Sequence, residues 1–172
     1  MESEEELEFF SGYGAFKGRA PRSVLHNNGG WHKGVHVWIF NSKGELFLKR
    51  RAENKEFFPG HWEDMGEHLK PGESFGEAAK RGLEEELGIK GVELEKLAEA
   101  KNCFPEKNCE FSELWKCVYG GKISENREES SGGKFFSIKE IQGLMKEREK
   151  FTPWFKEMFY RYLKEGLWEK RT

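Results

Sequence analysis

Apolar and polar positions along the chain repeat with two different periods, and each change of period marks an element. Residues 35–41 (VHVWIFN) and 42–51 (SKGELFLKRR) carry β-branched and aromatic residues on either side of Ser42, Lys43 and Gly44, which predicts a β-hairpin. Residues 52–73 pass through Pro59, Gly60, Gly66, Pro71 and Gly72 and read as a long loop. At Ser74 the period becomes helical. Ser74 and Glu77 form an S-x-x-E capping box, Ala78, Ala79, Leu83 and Leu87 supply an apolar face, and Gly88 suits the C-terminal stop, so a helix is expected over residues 74–87.

Residues 92–104, 109–123 and, more briefly, 133–138 read as strands, and residues 137–150 as a capped amphipathic helix. The stretch 152–170 opens with Thr152 as N-cap and Pro153 at the first helical position, and Trp154, Phe155, Met158, Phe159 and Tyr162 give it a broad stripe expected to pack on the core. Residues 1–17 are expected as an acidic tail and lead-in, with at most one short strand before residue 33, and residues 18–172 as a single domain. Strands interspersed with segregated helices imply an α/β or α+β domain with a mixed sheet between helix layers.

Charged residues make up 35% of the chain, but the net charge is only −2, which gives no support to a nucleic-acid polymer or a membrane surface as partner. A small molecule or another protein is the expected partner, and a homodimer is left open. Cys103, Cys109 and Cys117 are odd in number and lack CxxC spacing, so they are expected as reduced thiols in a cytoplasmic protein. The acidic start and the lack of a run near the ~18 apolar residues of a membrane span agree with that location.

The chemistry concentrates in AAKRGLEEELGIK, residues 78–90. Arg81 and Glu85 lie one turn apart with Glu86 beside them, and adjacent carboxylates repel unless a cation such as Mg²⁺ lies between them. Gly82 stands out, because glycine inside a helix costs roughly 0.5–1 kcal/mol relative to alanine.

The string EHLKPGESFGEAAKRGLEEELGI, residues 67–89, resembles the signature of the Nudix hydrolases. That pattern runs Gly, five residues, Glu, seven residues, Arg-Glu, an aliphatic residue, any residue, Glu-Glu, any residue, Gly and an aliphatic residue. Glu73, Arg81, Leu83, Glu85, Glu86, Gly88 and Ile89 fall at their offsets, so seven of nine specified positions match. The two departures are Glu67 in place of glycine and Gly82 in place of glutamate. The segments GRAPRSVLHNNGGWHKGVHVWIFNSKGELFLKRR, FFPGHWEDMGEH, NCEFSELWKC and FTPWFKEMF are similar to the branch containing isopentenyl-diphosphate isomerase and its hydrolase-like relatives.

The resemblance implies a mixed sheet between helices and water-driven cleavage of a diphosphate with Mg²⁺ or Mn²⁺, for example a nucleoside diphosphate linked to another group. Glu85 and Glu86 would hold the metal with the Gly66 carbonyl. Arg81 would orient a glutamate, and Glu73 would support the loop or the metal. A further carboxylate is expected from Glu110 or Glu113, and diphosphate contacts from some of Lys49, Arg50 and Arg51, since strand alternation admits only some of them. Glu84 points away from position 82 on the helical wheel, whereas Glu67 is placed to offer the missing carboxylate. His26, His32 and His68 approximate positions where the isomerase binds a second metal, and His36 and His61 are expected in packing or loop roles. Two alternatives follow: a binding protein impaired by Gly82, or an isomerase, although WEDMGEHL lacks the cysteine that isomerase chemistry uses.

Overall fold

The computed structural model of the protein describes residues 4–105 and 107–166. In chain order its elements are β1 (Glu6–Phe10), β2 (Phe16–Pro21), α1 (Arg22–Asn28), β3 (Trp31–Phe40), β4 (Leu46–Arg51), β5 (Trp62–Glu63), β6 (Met65–His68), α2 (Phe75–Leu87), β7 (Glu95–Cys103), β8 (Cys109–Val118), β9 (Ser130–Phe136), α3 (Ile138–Lys146) and α4 (Pro153–Lys164).

The apolar run of β3 lies at the centre, buried continuously from Gly34 to Phe40, as befits a strand covered on both faces. One edge of β3 pairs in parallel with β8 from Trp31↔Cys109 to Phe40↔Val118. Its other edge is shared in series by β1, β6 and β4. The expected hairpin exists, but its strands meet only at Phe40↔Leu46 and then splay, so that β4 pairs with β9 and β5 instead. This splaying opens a cleft between β4 and β6, and the functional side chains gather there.

The period of two along β3 divides the core. Val35, Val37 and Ile39 face α2 through Ala78, Ala79, Leu83 and Leu87, while Trp38 and Phe40 face α4 through Phe155, Phe159 and Tyr162. The sheet is thus held between helix layers, as expected of an α/β/α arrangement. Both bonds of the Ser74–Glu77 capping box form, and Gly88 closes α2 in the left-handed region at φ 67°. Pro153 opens α4 as expected, and residues 167–170 of that stretch lie outside the described residues.

Three expectations are corrected. The presumed tail forms β1, which pairs with β2 and buries Leu7 and Phe10, and α1 follows at once. A register shift at Phe9/Phe10 breaks the alternation that would have revealed that strand. The presumed loop 52–73 contains β5 and β6, which at two and four residues are too short to display a period. Cys103 and Cys109 are not free thiols: they face each other across the β7–β8 hairpin as a disulfide, and Cys117 is buried and free. Among the described residues no helix is long and apolar enough to cross a membrane.

Candidate active site

The cleft has a volume of about 630 Å³, and most of its lining residues are ionisable. On β4 the pleat sends Lys49 and Arg51 into it, whereas Arg50 points the other way, stacking on Trp62 and pairing with Glu149 at 3.3 Å. Lys49 is buried and bonded to Glu86 of α2, and its Nζ lies 3.6 Å from Glu63, its register partner on β5. Arg51 clamps Glu63 through Nη1 at 2.9 and 3.1 Å.

Two carboxylates thus share the one ammonium of Lys49. Burial opposes its charge, but Glu86 and then Glu63 outweigh burial and raise its pKa. Burial pushes the Glu86 carboxyl up to about 7, and Glu67 and Glu63 push the same way against Lys49. A buried carboxylate facing further carboxylates is a favourable place for a hard divalent cation, so the residues present fit Mg²⁺ or Mn²⁺. Glu86, Glu67 and Glu63 line the cleft together with Gly66 of β6, and Glu85 stands at the exposed rim.

Arg81 organises this end from behind. Its guanidinium binds both oxygens of Glu73 at 2.8 Å and donates to the His68 carbonyl at 2.8 Å. Nη1 reaches Glu67 at 3.1 Å and Glu85 at 3.4 Å. Neither Arg81 nor Glu73 lines the cleft; Arg81 touches it through the Glu67 and Glu85 carboxylates. The Glu73 carboxylate is consumed by Arg81 and by the Lys70 amide.

Gly82 is buried where α2 crosses β6. A Cβ there would lie 3.0 Å from the Met65 sulfur and 3.1 Å from Glu67 Cβ. Helix propensity alone predicts that Gly82→Ala stabilises by about 0.5–1 kcal/mol. The contacts predict a loss of about 1–3 kcal/mol from overpacking, and chemical denaturation will show which sign holds.

At the other end of the cleft, His26, His32 and His68 bring ring nitrogens within 4.8 Å of one another, from α1, β3 and β6. The His32 Nδ1–H donates to the Gly30 carbonyl at 3.0 Å, leaving Nε2 buried without a hydrogen-bond partner, as is Nε2 of His26. Glu110 of β8 closes the cluster, 3.5 Å from His32 and 3.7 Å from His68. Gly34 makes room for it, since a Cβ there would lie 2.8 Å from Glu110 Oε2. Burial and then the charges of His68 and His32 push His26 down to about 3, so it is neutral. Burial opposes the charge of His68, but Glu110 and Glu5 raise it to about 9. Burial likewise works against ionised Glu110, yet the imidazoles of His32, His36 and His68, 3.5–3.7 Å away, hold it well below the usual carboxylate range. Three convergent imidazoles and a carboxylate fit Zn²⁺ or Mn²⁺.

Glu113 does not join them. Three residues beyond Glu110, it emerges on the opposite face of β8, bonded to Lys96 at 2.6 Å and to the Trp115 indole at 2.8 Å. His61 is the expected loop residue, bound to the Pro59 carbonyl. His36 exceeds its expected packing role, for it bridges Asp64 at 3.3 Å and Glu110 at 3.7 Å. Glu63 and Asp64 escaped the sequence pattern because β5 was hidden in the presumed loop. The one available signal was their place beside Trp62, a strand-forming residue, and Asp64 is fixed by the Trp38 indole at 2.8 Å.

The profile described as NUDIX domain matches residues 30–155, spanning β3 to the start of α4. The chain belongs to the Nudix family. Isopentenyl-diphosphate Delta-isomerase 1 of Photorhabdus laumondii is 34% identical over 133 residues, covering 73% of this chain and 75% of that protein. An uncharacterized Nudix hydrolase of Listeria monocytogenes, lmo0368, is 33% identical over 126 residues, 72% of this chain and 73% of that one. The crystal structure of DR0079 from Deinococcus radiodurans superposes with a TM-score of 0.80 at 22% identity, covering 91% of this chain and 98% of that one. This last likeness supports the Nudix fold alone.

Proposed function

We propose that this Nudix protein hydrolyses a small diphosphate compound, such as a nucleoside diphosphate linked to another group, with Mg²⁺ or Mn²⁺. The observation that carries the reading is the cleft in which Lys49, Arg51 and Lys55 face Glu63, Glu67 and Glu86. The cations bind and orient phosphate oxygens, Arg51 giving a fork and Lys49 a point charge. Glu86, Glu67 and Glu63 would hold the divalent ion with the Gly66 backbone, while Arg81 fixes the aim of Glu67 and Glu85. Such an ion, when bound, neutralises phosphate oxygens and lowers the pKa of a water. His26, His32, His68 and Glu110 would hold a second metal, with Glu5 bracing Nδ1 of His68 at 3.5 Å.

The second reading, isomerase chemistry on isopentenyl diphosphate, is favoured by the histidine cluster and the 34% identical relative. Against it, Cys103 and Cys109 are bonded to each other and Cys117 is buried on the α2 side, so among the described residues no free thiol meets the cleft. One assay separates the two: a panel of nucleotide sugars, ADP-ribose, dinucleoside polyphosphates and isopentenyl diphosphate, followed by phosphorus and proton NMR. Cleavage of a diphosphate bond is expected. Double-bond migration without cleavage would replace the hydrolase reading by the isomerase one.

A further inference from the structure

The two positions at which the chain departs from the Nudix pattern carry each other's residue types, and the fold brings them into contact. Glu67 lies on β6 and Gly82 on α2, fifteen residues apart, yet the stem of Glu67 passes 3.1 Å from where a Cβ of residue 82 would stand. The carboxylate at the end of that stem lines the cleft. Arg81, the neighbour of Gly82, holds it at 3.1 Å, and the His68 amide donates to its other oxygen at 2.9 Å.

We propose that Glu67 and Gly82 are a reciprocal exchange: the strand supplies the metal-facing carboxylate that the helix lacks, and residue 82 is glycine because the Glu67 stem, with the Met65 sulfur beside it, fills its space. The inference rests on the hydrolase reading for the purpose of the carboxylate, but not for the steric coupling of the two positions. It answers why a costly glycine sits inside α2. It also answers why the cleft keeps its acidic wall when the helix offers only Glu86 and the rim residue Glu85. Arg81 needs no change of place under this exchange, because its Nη1 reaches a carboxylate borne by the strand.

The test uses Glu67→Gly, Glu67→Gln, Gly82→Glu and the double variant Glu67→Gly/Gly82→Glu, each compared with the natural protein. Three quantities are read: melting temperature without metal, calorimetric affinity for Mg²⁺, and diphosphate turnover. Mg²⁺ takes oxygen ligands and so reports the carboxylate end rather than the imidazoles. Gly82→Glu is expected to melt at lower temperature than the natural protein, and removing the Glu67 stem in the double variant is expected to reverse that loss. Glu67→Gly and Glu67→Gln are expected to weaken Mg²⁺ binding at least about tenfold and turnover about 100-fold, the scale of losing a positioned group. The double variant is expected to recover Mg²⁺ affinity to within about threefold of the natural value, since one carboxylate has replaced the other.

A double variant no better than Gly82→Glu in melting temperature and no better than Glu67→Gly in Mg²⁺ affinity overturns the exchange. If Gly82→Glu does not fold, Glu67→Gln still decides, and natural Mg²⁺ affinity in that variant overturns it as well. A natural protein that cleaves no diphosphate while the Mg²⁺ pattern holds defeats the hydrolase reading and leaves the exchange standing. Natural turnover in Glu67→Gln does the opposite.

Discussion

Glu86→Gln is expected to reduce diphosphate hydrolysis by at least about 100-fold, beyond the 10–100-fold that loss of an outer-shell partner costs. Glutamine keeps the volume of the side chain and can still accept a hydrogen bond from Lys49, so α2 and its packing should persist. What disappears is the charge that a buried carboxylate contributes to the acidic wall. Glu86 is the box glutamate that points inward: it is buried, in contact with Lys49, and pressed by Glu67 and Glu63. Lys49 keeps Glu63 as its remaining anionic neighbour at 3.6 Å, which limits the penalty of leaving a buried ammonium unpaired. Glu84→Gln is the control, since Glu84 lies on the outer side of the same helix and meets only Lys90. Steady-state rates at saturating Mg²⁺ for both variants settle the matter. A Glu86→Gln protein that turns over like the natural one would move the metal position elsewhere in the cleft.

The contrast between Glu84 and the pair Glu85 and Glu86 was legible in the sequence, because a helix at 100° per residue assigns each a direction, but the burial of Glu86 beside a rim-exposed Glu85 was not. Also legible were the capping box and the Gly88 stop, both of which depend on residues close together in the chain. On β4, alternation set Arg50 apart from Lys49 and Arg51 but did not say which side meets the cleft. The register of β4 against β5, which sets Lys49 opposite Glu63, chose Lys49 and Arg51. Glu110 and Glu113 show the same limit: an odd separation guarantees opposite faces, and the parallel pairing of β8 with β3 decides that Glu110 is the one beside His32.

The illegible parts are those built by long-range pairing of short segments. Glu5 reaches His68 only because β1 pairs with β3. Asp64 reaches His36 because β6, the strand that begins at Met65, lies antiparallel to β3 with His36 opposite Gly66. The disulfide likewise depends on the β7–β8 register that sets Cys103 opposite Cys109, and an odd cysteine count conceals it.

Zn²⁺ is expected to raise the melting temperature of the natural protein, and Glu110→Gln to remove most of that rise. At a free metal concentration 100-fold above the dissociation constant, binding to the folded state adds about 2.7 kcal/mol, or about 5–11 °C for a domain of this size. The histidine cluster is arranged to receive the ion: Nε2 of His26 and of His32 are buried without hydrogen-bond partners, and the Gly30 carbonyl fixes the tautomer of His32. Among the described residues Glu110 is the one carboxylate that lies within 4 Å of all three of His32, His36 and His68, so its neutral isostere removes an oxygen ligand's charge without opening a cavity. A protein whose melting temperature ignores Zn²⁺ and Mn²⁺ would make the cluster a structural network centred on Glu110. In that case Glu110→Gln should lower the melting temperature of the metal-free protein alone, because His36 and His68 would lose a shared counter-ion and keep only Asp64 and Glu5. Scanning calorimetry of both proteins with and without metal distinguishes a ligand from a buried counter-ion by which of the four curves moves.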